Sequence, residues 1–488
     1  MFELVRNWFS GQKEKKRGYD GARRGRLTAD WHPGSMSADA ELYASLPELR
    51  SRSRDMLRNN PYAARACMIV RNNVVGVGIN FQSQVKLPDG TLDDRINTDI
   101  EEKFTEWSRK QSCHTAGTLC LNEICKTILT QVFEAGEILI RKRYKAFGDS
   151  RVPFALEVIE SDRLADRYNR AADSQGNSVR MGVEIDRWGR PVAYYFMKGH
   201  PGDYAFGISQ TDLERVPARE VIHLFIANRF PQTRGVPWLH TAINRLRDMG
   251  GYTEAEVVAA RASANIAGFI RSEADDAPED KEGAIFQVKP GAFVHLAPGE
   301  DISAFNPNRP TNSLEPFMRF MIREVAAGIG VSYESLSRDY SQSNYSSSRL
   351  SLLDDRVTWR ILQGWLVTNF LQEVYREWLD LAVLCGELRF KDYETNPRKY
   401  RQARFRAPGW SWIDPTKEVQ AYKEAVKAGF MTLSDVIAQT GQGADFDDTL
   451  KARRAELDKQ KELDLKFDTD PGSVAPVQTT KDVKDDPQ

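Results

Sequence analysis

Residues 317–356 read FMRFMIREVAAGIGVSYESLSRDYSQSNYSSSRLSLLDDR, and this stretch decides the fold. It opens with apolar residues at helical spacing: Phe317, Phe320, Met321, Val325 and Ile329. It resumes as a second apolar-periodic helix at Leu350, Leu353, Val357, Ile361, Trp365, Leu366, Val374 and Trp378. Between them, Ser337 to Ser348 holds six serines, two tyrosines, Gln342 and Asn344, with Arg338 beside Asp339. That composition has nothing to bury and predicts a mobile polar loop clamped between two helices. Short hydroxyl side chains on a rigid base make transient hydrogen bonds to phosphates without strong charge attraction, which suits a sliding polymer. An ordinary exposed linker has the same composition. The helix after the loop is expected over about 349–383, roughly 50 Å at 1.5 Å per residue.

A second informative stretch, LRSRSRDMLRNNPYAARACMIVRNNVVGVGI, covers residues 49–79. Folding is expected to start near Pro47, with one helix from Leu49 to Arg58. Asn60 is a good N-cap and Pro61 suits a first helical turn, so a second helix runs to about Val74, where Gly76 and Gly78 stop it. Arg50, Arg54 and Arg58 recur every four residues and share a face. Planar guanidinium forks on such a stripe meet either phosphates or a carboxylate-rich neighbouring subunit, and the subunit contact is the favoured reading.

From there the chain alternates. Residues 79–86 read as a strand. Leu92, Ile96, Ile100, Phe104 and Trp107 give an apolar helical stripe, and Ile124, Ile128, Val132 and Phe133 give another after a possible N-cap at Asn122. EILIRKRY follows Gly136 as a strand; FALEVIE, the hairpin VEIDRWGRPVAYYFM and VIHLFIA add more. Residues 237–265 return to helix, with a bend or break expected at Gly250-Gly251. Residues 268–312 read as short β segments and turns rich in acid, including Asp275, Asp276, Asp280 and Glu282. Near the end, Thr432 or Ser434 could cap a helix, 449–466 is helical in composition, and the remainder has a disordered composition.

Composition narrows the function. Lys+Arg number 68 against Asp+Glu 69, a net charge of −1, where tight phosphate binders carry a basic excess. Five cysteines without a secretory signal read as reduced thiols, and no apolar run reaches the roughly 20 residues of a membrane helix. Cys113, His114, Cys120 and Cys125 have poor spacing for zinc. Glu220 and His223 lie in a β-type run, where i and i+3 point to opposite faces, so His223 is expected to be a half-buried strand residue. Asp354-Asp355 is expected to make ion pairs between helices or subunits. No GxxxxGK[ST] and no GxSxG occurs. No catalytic residue, metal or cofactor is therefore expected.

Several segments resemble the portal proteins of lambda-like tailed bacteriophages. They include RSRDMLRNNPYAARACMIVRNNVVGVGI (52–79), RGVPWLHTAINRLRDMGGYTEAEVVAARASA (234–264), LAPGEDISAFNPNRP (296–310), residues 317–356 and APGWSWIDPTKEVQA (407–421). The resemblance implies an α+β portal fold with a mixed α/β wing, a helical stem, a small β-rich clip, a long tunnel helix and a helical C-terminal crown. The implied map is a flexible arm at 1–40, wing 41–235, stem helices 236–267 and 313–335, and clip 268–312 between them. A tunnel loop at 336–348 and tunnel helix 349–385 follow, then a return through the wing at 386–412, crown helices 413–466 and a disordered tail 467–488. It also implies a non-enzymatic ring, typically a dodecamer, at one capsid vertex of the virion, assembled in the host cytoplasm. The ring would initiate procapsid assembly and pass double-stranded DNA non-specifically during packaging and ejection. Implied partners are the terminase large subunit, head-completion or tail connector proteins, and the major capsid and scaffold proteins; no membrane is involved. The DNA-facing residues would be Arg338, Ser341, Gln342, Ser343, Asn344, Tyr345, Ser346 and Ser347, and the docking surface Asp275, Asp276, Asp280 and Glu282. The competing readings are a DNA-processing enzyme, either a nuclease or a terminase component, and a capsid shell or scaffold protein.

Overall fold

The computed structural model describes residues 26, 30, 34–203, 212–265, 268–272, 300–304, 314–410, 415–440 and 446–465. Most of the expected arm, the four clip carboxylates and the 467–488 tail lie outside the described residues.

The first helix, α1 (Ala38–Asn59), begins well before Pro47. Ser37 caps it, its hydroxyl accepting from the Ala40 amide at 3.3 Å. Pro47 sits inside this helix and has no N–H for the Tyr43 carbonyl. Arg167 Nη1 donates to that carbonyl at 3.4 Å, so the acceptor is not stranded. A buried Leu42 and Leu46 then hold the early turns down. Helix α2 (Pro61–Val74) starts as expected, with Asn60 Oδ1 accepting from the Tyr62 and Ala63 amides. Gly76 and Gly78 end it at φ +52° and +141°. At Gly78 a Cβ would lie 2.6 Å from the Asn122 side chain, whose Oδ1 accepts from the Ile79 amide. Asn122 is therefore a tether for this turn, not the expected N-cap; Cys120 occupies that position.

Strand β1 (Asn80–Ser83) is shorter than the expected 79–86 and leads to α3 (Asp94–Trp107), the short α4 (Lys110–Cys113) and α5 (Leu121–Ala135). Strands β2 (Glu137–Arg143), β3 (Ala155–Ile159) and β8 (Val221–Phe225) form an antiparallel sheet in the order β3-β2-β8. Strands β4 (Ser178–Arg180), β5 (Val183–Ile185), β6 (Pro191–Met197) and β7 (Leu213–Pro217) form a four-stranded meander, with the expected hairpin at β5-β6.

Helix α6 (Ile243–Asn265) runs through Gly250-Gly251 without the expected break. Two glycines cost about 2 kcal/mol of helix propensity, and packing offsets it. Leu246 and Met249 are buried, and α7 (Leu314–Ile329) lies alongside. The pairing is antiparallel: Trp238 Nε1 donates to the Ile329 carbonyl at 2.9 Å, Arg245 Nε to Glu324 at 2.9 Å, and Tyr252 meets Phe317 at 4.9 Å between ring centroids. The chain leaves at the end of α6 through β9 (Gly268–Ser272) and returns by its antiparallel partner β10 (Glu300–Ala304) to the start of α7.

After α8 (Tyr333–Ser337) comes the longest element. Helix α9 (Tyr345–Leu366), a π-helical turn at Val367–Leu371 and α10 (Gln372–Leu384) run on without interruption. The helix thus extends beyond the expected 349–383, and its forty residues span about 60 Å. Its C-terminal half passes through the main core, where Tyr375 and Trp378 pack on Phe104 and Phe81. The short α11 (Pro397–Tyr400) and β11 (Ala403–Arg406) follow, β11 pairing with β1 some 320 residues upstream. Helices α12 (Pro415–Lys427), α13 (Leu433–Thr440) and α14 (Phe446–Glu462) complete the described chain, with Thr432 capping α13 as expected. The fold class is α+β, as the sequence implied. No described helix is long and apolar enough to cross a membrane.

Candidate assembly surface and polar loop

The loop is narrower than its composition suggested. Helix α8 takes residues up to Ser337 and α9 begins at Tyr345, leaving Arg338–Asn344 between them. Ser346 and Ser347 therefore lie in the first turn of the long helix, and Asn344 is its cap, accepting from the Ser347 amide at 2.8 Å. The side chain of Tyr345 lies outside the described residues. Arg338 adopts φ +59° and is exposed, as are Ser341, Gln342, Asn344, Ser346 and Ser347, with Ser343 half-buried.

Hydrogen bonds lace the loop to its base. Asp339 accepts from Tyr333 Oη at 2.7 Å and from both the amide and hydroxyl of Ser341 at 3.0 and 2.6 Å. These bonds, those from Ser341 above all, hold its carboxyl low, at about 2. Asp355 makes no ion pair with a described residue of its own subunit. Its carboxylate accepts from the Ser332 amide and hydroxyl at 2.9 and 2.6 Å and from the Ser335 hydroxyl at 3.0 Å, pinning the start of α8 to the long helix. Burial pushes this carboxyl upward against those bonds.

The long helix carries two apolar faces where the sequence suggested one. Trp359, Leu362, Leu366, Phe370, Val374 and Trp378 are buried. Leu350, Leu353, Val357 and Ile361 are 71, 42, 56 and 68 % exposed and, at spacings of three and four, line a single uncovered stripe beginning beside the loop. Phe317 and Phe320 on α7 are likewise exposed. The signal for this stripe was in the sequence, since one helix has no single face holding both 350/353/357/361 and 359/362/366.

The arginine stripe of α1 is corrected. Arg50 is buried, its guanidinium donating to Ser161 Oγ at 3.2 Å and ion-paired with Asp166. Arg54 donates to Glu134 at 3.0 Å and grips Asp162 with both terminal nitrogens. Both charges are paired within the subunit, and Arg50 is enclosed; Arg54 is half-buried and Arg58 exposed. The same network holds Arg234, which donates to Glu137 at 2.9 Å and to Asp166 at 2.6 Å. Glu137 also accepts from the Gly235 amide at 2.8 Å and meets His223 Nε2 at 2.9 Å. Burial alone would raise the Glu137 carboxyl, but Arg234 and His223 hold it far below the usual carboxylate range. His223 is the strand residue expected, paired to Glu137 and not to Glu220.

Among the described residues, one group of three side chains, Glu160, Asp162 and His200, has donor atoms within metal-ligating reach. Asp162 already faces Arg54 and Arg50, so a cation there would meet two guanidiniums. His114 Nδ1 faces the Thr118 and Leu119 amides at 3.3 Å, and Cys113 and Cys125 are buried free thiols.

These features define a subunit with uncovered packing surface. The sequence matches the family model for phage portal proteins of the lambda family over residues 24–363. It is 30 % identical over 439 residues to the probable portal protein of Halomonas phage phiHAP-1, covering 87 % of this chain and 83 % of the relative. It is 24 % identical over 464 residues to portal protein B of Escherichia phage lambda, covering 84 % of each. The neck of a native gene transfer agent particle with C12 symmetry shares 15 % identity and a TM-score of 0.46, over 79 % of this chain and 92 % of that one. The chain belongs to the lambda family of phage portal proteins.

Proposed function

We propose that copies of this chain close into a ring, a dodecamer, at the unique vertex of a capsid, and that double-stranded DNA passes through its hole during packaging and ejection. The observation that carries this reading is the uncovered stripe of Leu350, Leu353, Val357 and Ile361, which runs along a rigid helix and starts at a polar loop. Water-exposed apolar stripes of this length are stable when another copy covers them. Ring closure through the stripes would set the loops of all copies around one axis. Arg338, Ser341, Gln342, Ser343, Asn344, Tyr345, Ser346 and Ser347 then face the DNA. Small hydroxyl and amide groups there bond transiently to phosphates, and Asp339 supplies a negative charge beside Arg338, so friction stays low.

In this reading α6 and α7 are the stem and the β9-β10 insertion between them roots the clip. Asp275, Asp276, Asp280 and Glu282 dock the terminase large subunit and then the head-tail connector. The body before α6 is the wing, facing major capsid and scaffold proteins, and the ring initiates procapsid assembly in the host cytoplasm before entering the virion. Negative-stain images of the purified chain test this: rings with a central hole are expected, and a monodisperse, unringed product, alone and in particles, refutes it. No observation favours the nuclease or terminase reading.

A further inference from the structure

We propose that Arg376, Arg398 and Arg401 form an oxyanion pocket that takes a phosphate group of duplex DNA, at a place remote from the polar loop. The three guanidiniums, one from α10, one from α11 and one just after it, line a concavity of about 340 Å³. Arg401 is fixed in place by a fork onto Asp380, at 2.9 and 2.6 Å from Nη2, and Tyr393 also donates to that carboxylate. Arg376 and Arg398 are exposed and have no ion pair or hydrogen bond to any described residue. Two unneutralised guanidiniums are thus held beside an anchored third, which is an arrangement that attracts a multivalent oxyanion and accepts it by bidentate forks.

The surrounding sequence favours nucleic acid over a lone anion. Residues 389–406 carry seven basic residues (Arg389, Lys391, Arg398, Lys399, Arg401, Arg404 and Arg406) against Asp392 and Glu394, in a chain whose net charge is −1. A concentrated positive field of this kind is the electrostatic footprint of a polyphosphate. The place differs from the loop: Arg376 lies 31 residues along the same continuous helix from Tyr345, roughly 46 Å. The phosphate class rests on the pocket alone; DNA as its source rests on the portal reading.

The test uses the full chain as purified and a fluorescent duplex of about 30 base pairs and arbitrary sequence, with anisotropy followed from 50 to 200 mM NaCl. Each phosphate contact contributes about 0.9 to the slope of log affinity against log salt. The R376Q/R398Q double variant is expected to bind more weakly and to flatten that slope by about 2, while R190Q, which removes an exposed arginine of the β5-β6 turn, leaves it unchanged. As a measurement without variants, DNA should protect Arg376 and Arg398, but not Arg190, from phenylglyoxal modification. An unchanged slope in the double variant, or absence of protection, overturns the proposal. So does protection by inorganic phosphate alone, or by a polyglutamate peptide where DNA gives none. Imaging the same samples separates the two readings: missing rings in the unmodified chain refute the ring, whereas intact rings with unprotected arginines refute the pocket.

Discussion

Serine at Leu350 and Ile361 should break the proposed ring and leave the subunit folded. Burying such a side chain fully is worth about 1.5–3 kcal/mol. Scaled by their exposed fractions, the four stripe residues hold roughly 4–7 kcal/mol of uncollected burial per subunit. Leu350 and Ile361 are the most exposed and account for about 2–4 kcal/mol of that, or roughly 30- to 1000-fold in the association constant of each subunit contact. Both side chains already face water in the isolated subunit, so its unfolding free energy should move by less than about 0.5 kcal/mol. Light scattering after size exclusion reads the assembly state against concentration, and thermal unfolding reads the subunit. Leu362→Ser on the same helix is the contrast. That side chain is buried, so its loss should lower the subunit's own melting temperature. Rings that form at the same threshold concentration in L350S/I361S would refute the assignment of this stripe to the contact between copies.

Other outcomes follow from the same geometry. Glu137→Gln leaves Arg234 buried with half its partner gone and should cost about 3–5 kcal/mol by denaturant titration. The Glu137 carboxyl is depressed in the folded chain, so its contribution is present above its ordinary value of 4.5 and lost as pH falls below it; E137Q should flatten that acid limb of the stability curve. Gly235→Ala places a Cβ 2.1 Å from the Gly136 carbonyl oxygen and should destabilise by about 1–3 kcal/mol in thermal melts. Asp339→Asn weakens the bonds from Tyr333 and Ser341 and should speed amide exchange over 338–344 without changing ring formation. Deleting Ser341–Ser343 should impair DNA packaging or retention in particles while rings persist.

Local chemistry was the legible part of the sequence. Asn60-Pro61 declares a helix start because cap and first turn are neighbours in sequence, and the β5-β6 hairpin declares itself because its turn residues separate two β-type runs. What misled the reading was each case in which a distant residue supplies the missing partner. Pro47 stays in a helix because Arg167 bonds the carbonyl it abandons, and Gly250-Gly251 stays helical because α7 packs alongside. The arginine stripe had the right spacing for a surface, but its partners lie on segments about a hundred residues away, at Glu134, Asp162 and Asp166. Asp355 looked like a salt-bridge residue because its neighbours are Asp354 and Arg356, whereas its bonds go back to Ser332 and Ser335. The pocket arginines were missed, although the basic run 389–406 was there to be counted.

The π-helical turn explains how one helix serves both an outer stripe and an inner core. Its buried positions Leu362, Leu366, Phe370, Val374, Trp378 and Ala382 recur every four residues. In an unbroken α-helix of 3.6 residues per turn, each such step advances about 40° around the axis. Five steps would carry Ala382 about 200° from Leu362, onto the opposite side. The wider turn at Val367–Leu371 takes up an extra residue and sets the phase back. Leu362 and Ala382 can then both face the core, and the exposed stripe ends just before the correction, at Ile361. The half of the helix before the π turn is therefore left with one face uncovered beside the loop, while the half after it is locked among Phe81, Phe104 and Trp107. A helix anchored firmly at one end and uncovered at the other can gain a neighbouring copy without repacking its own core, which is what repeated addition of identical subunits to a closing ring requires.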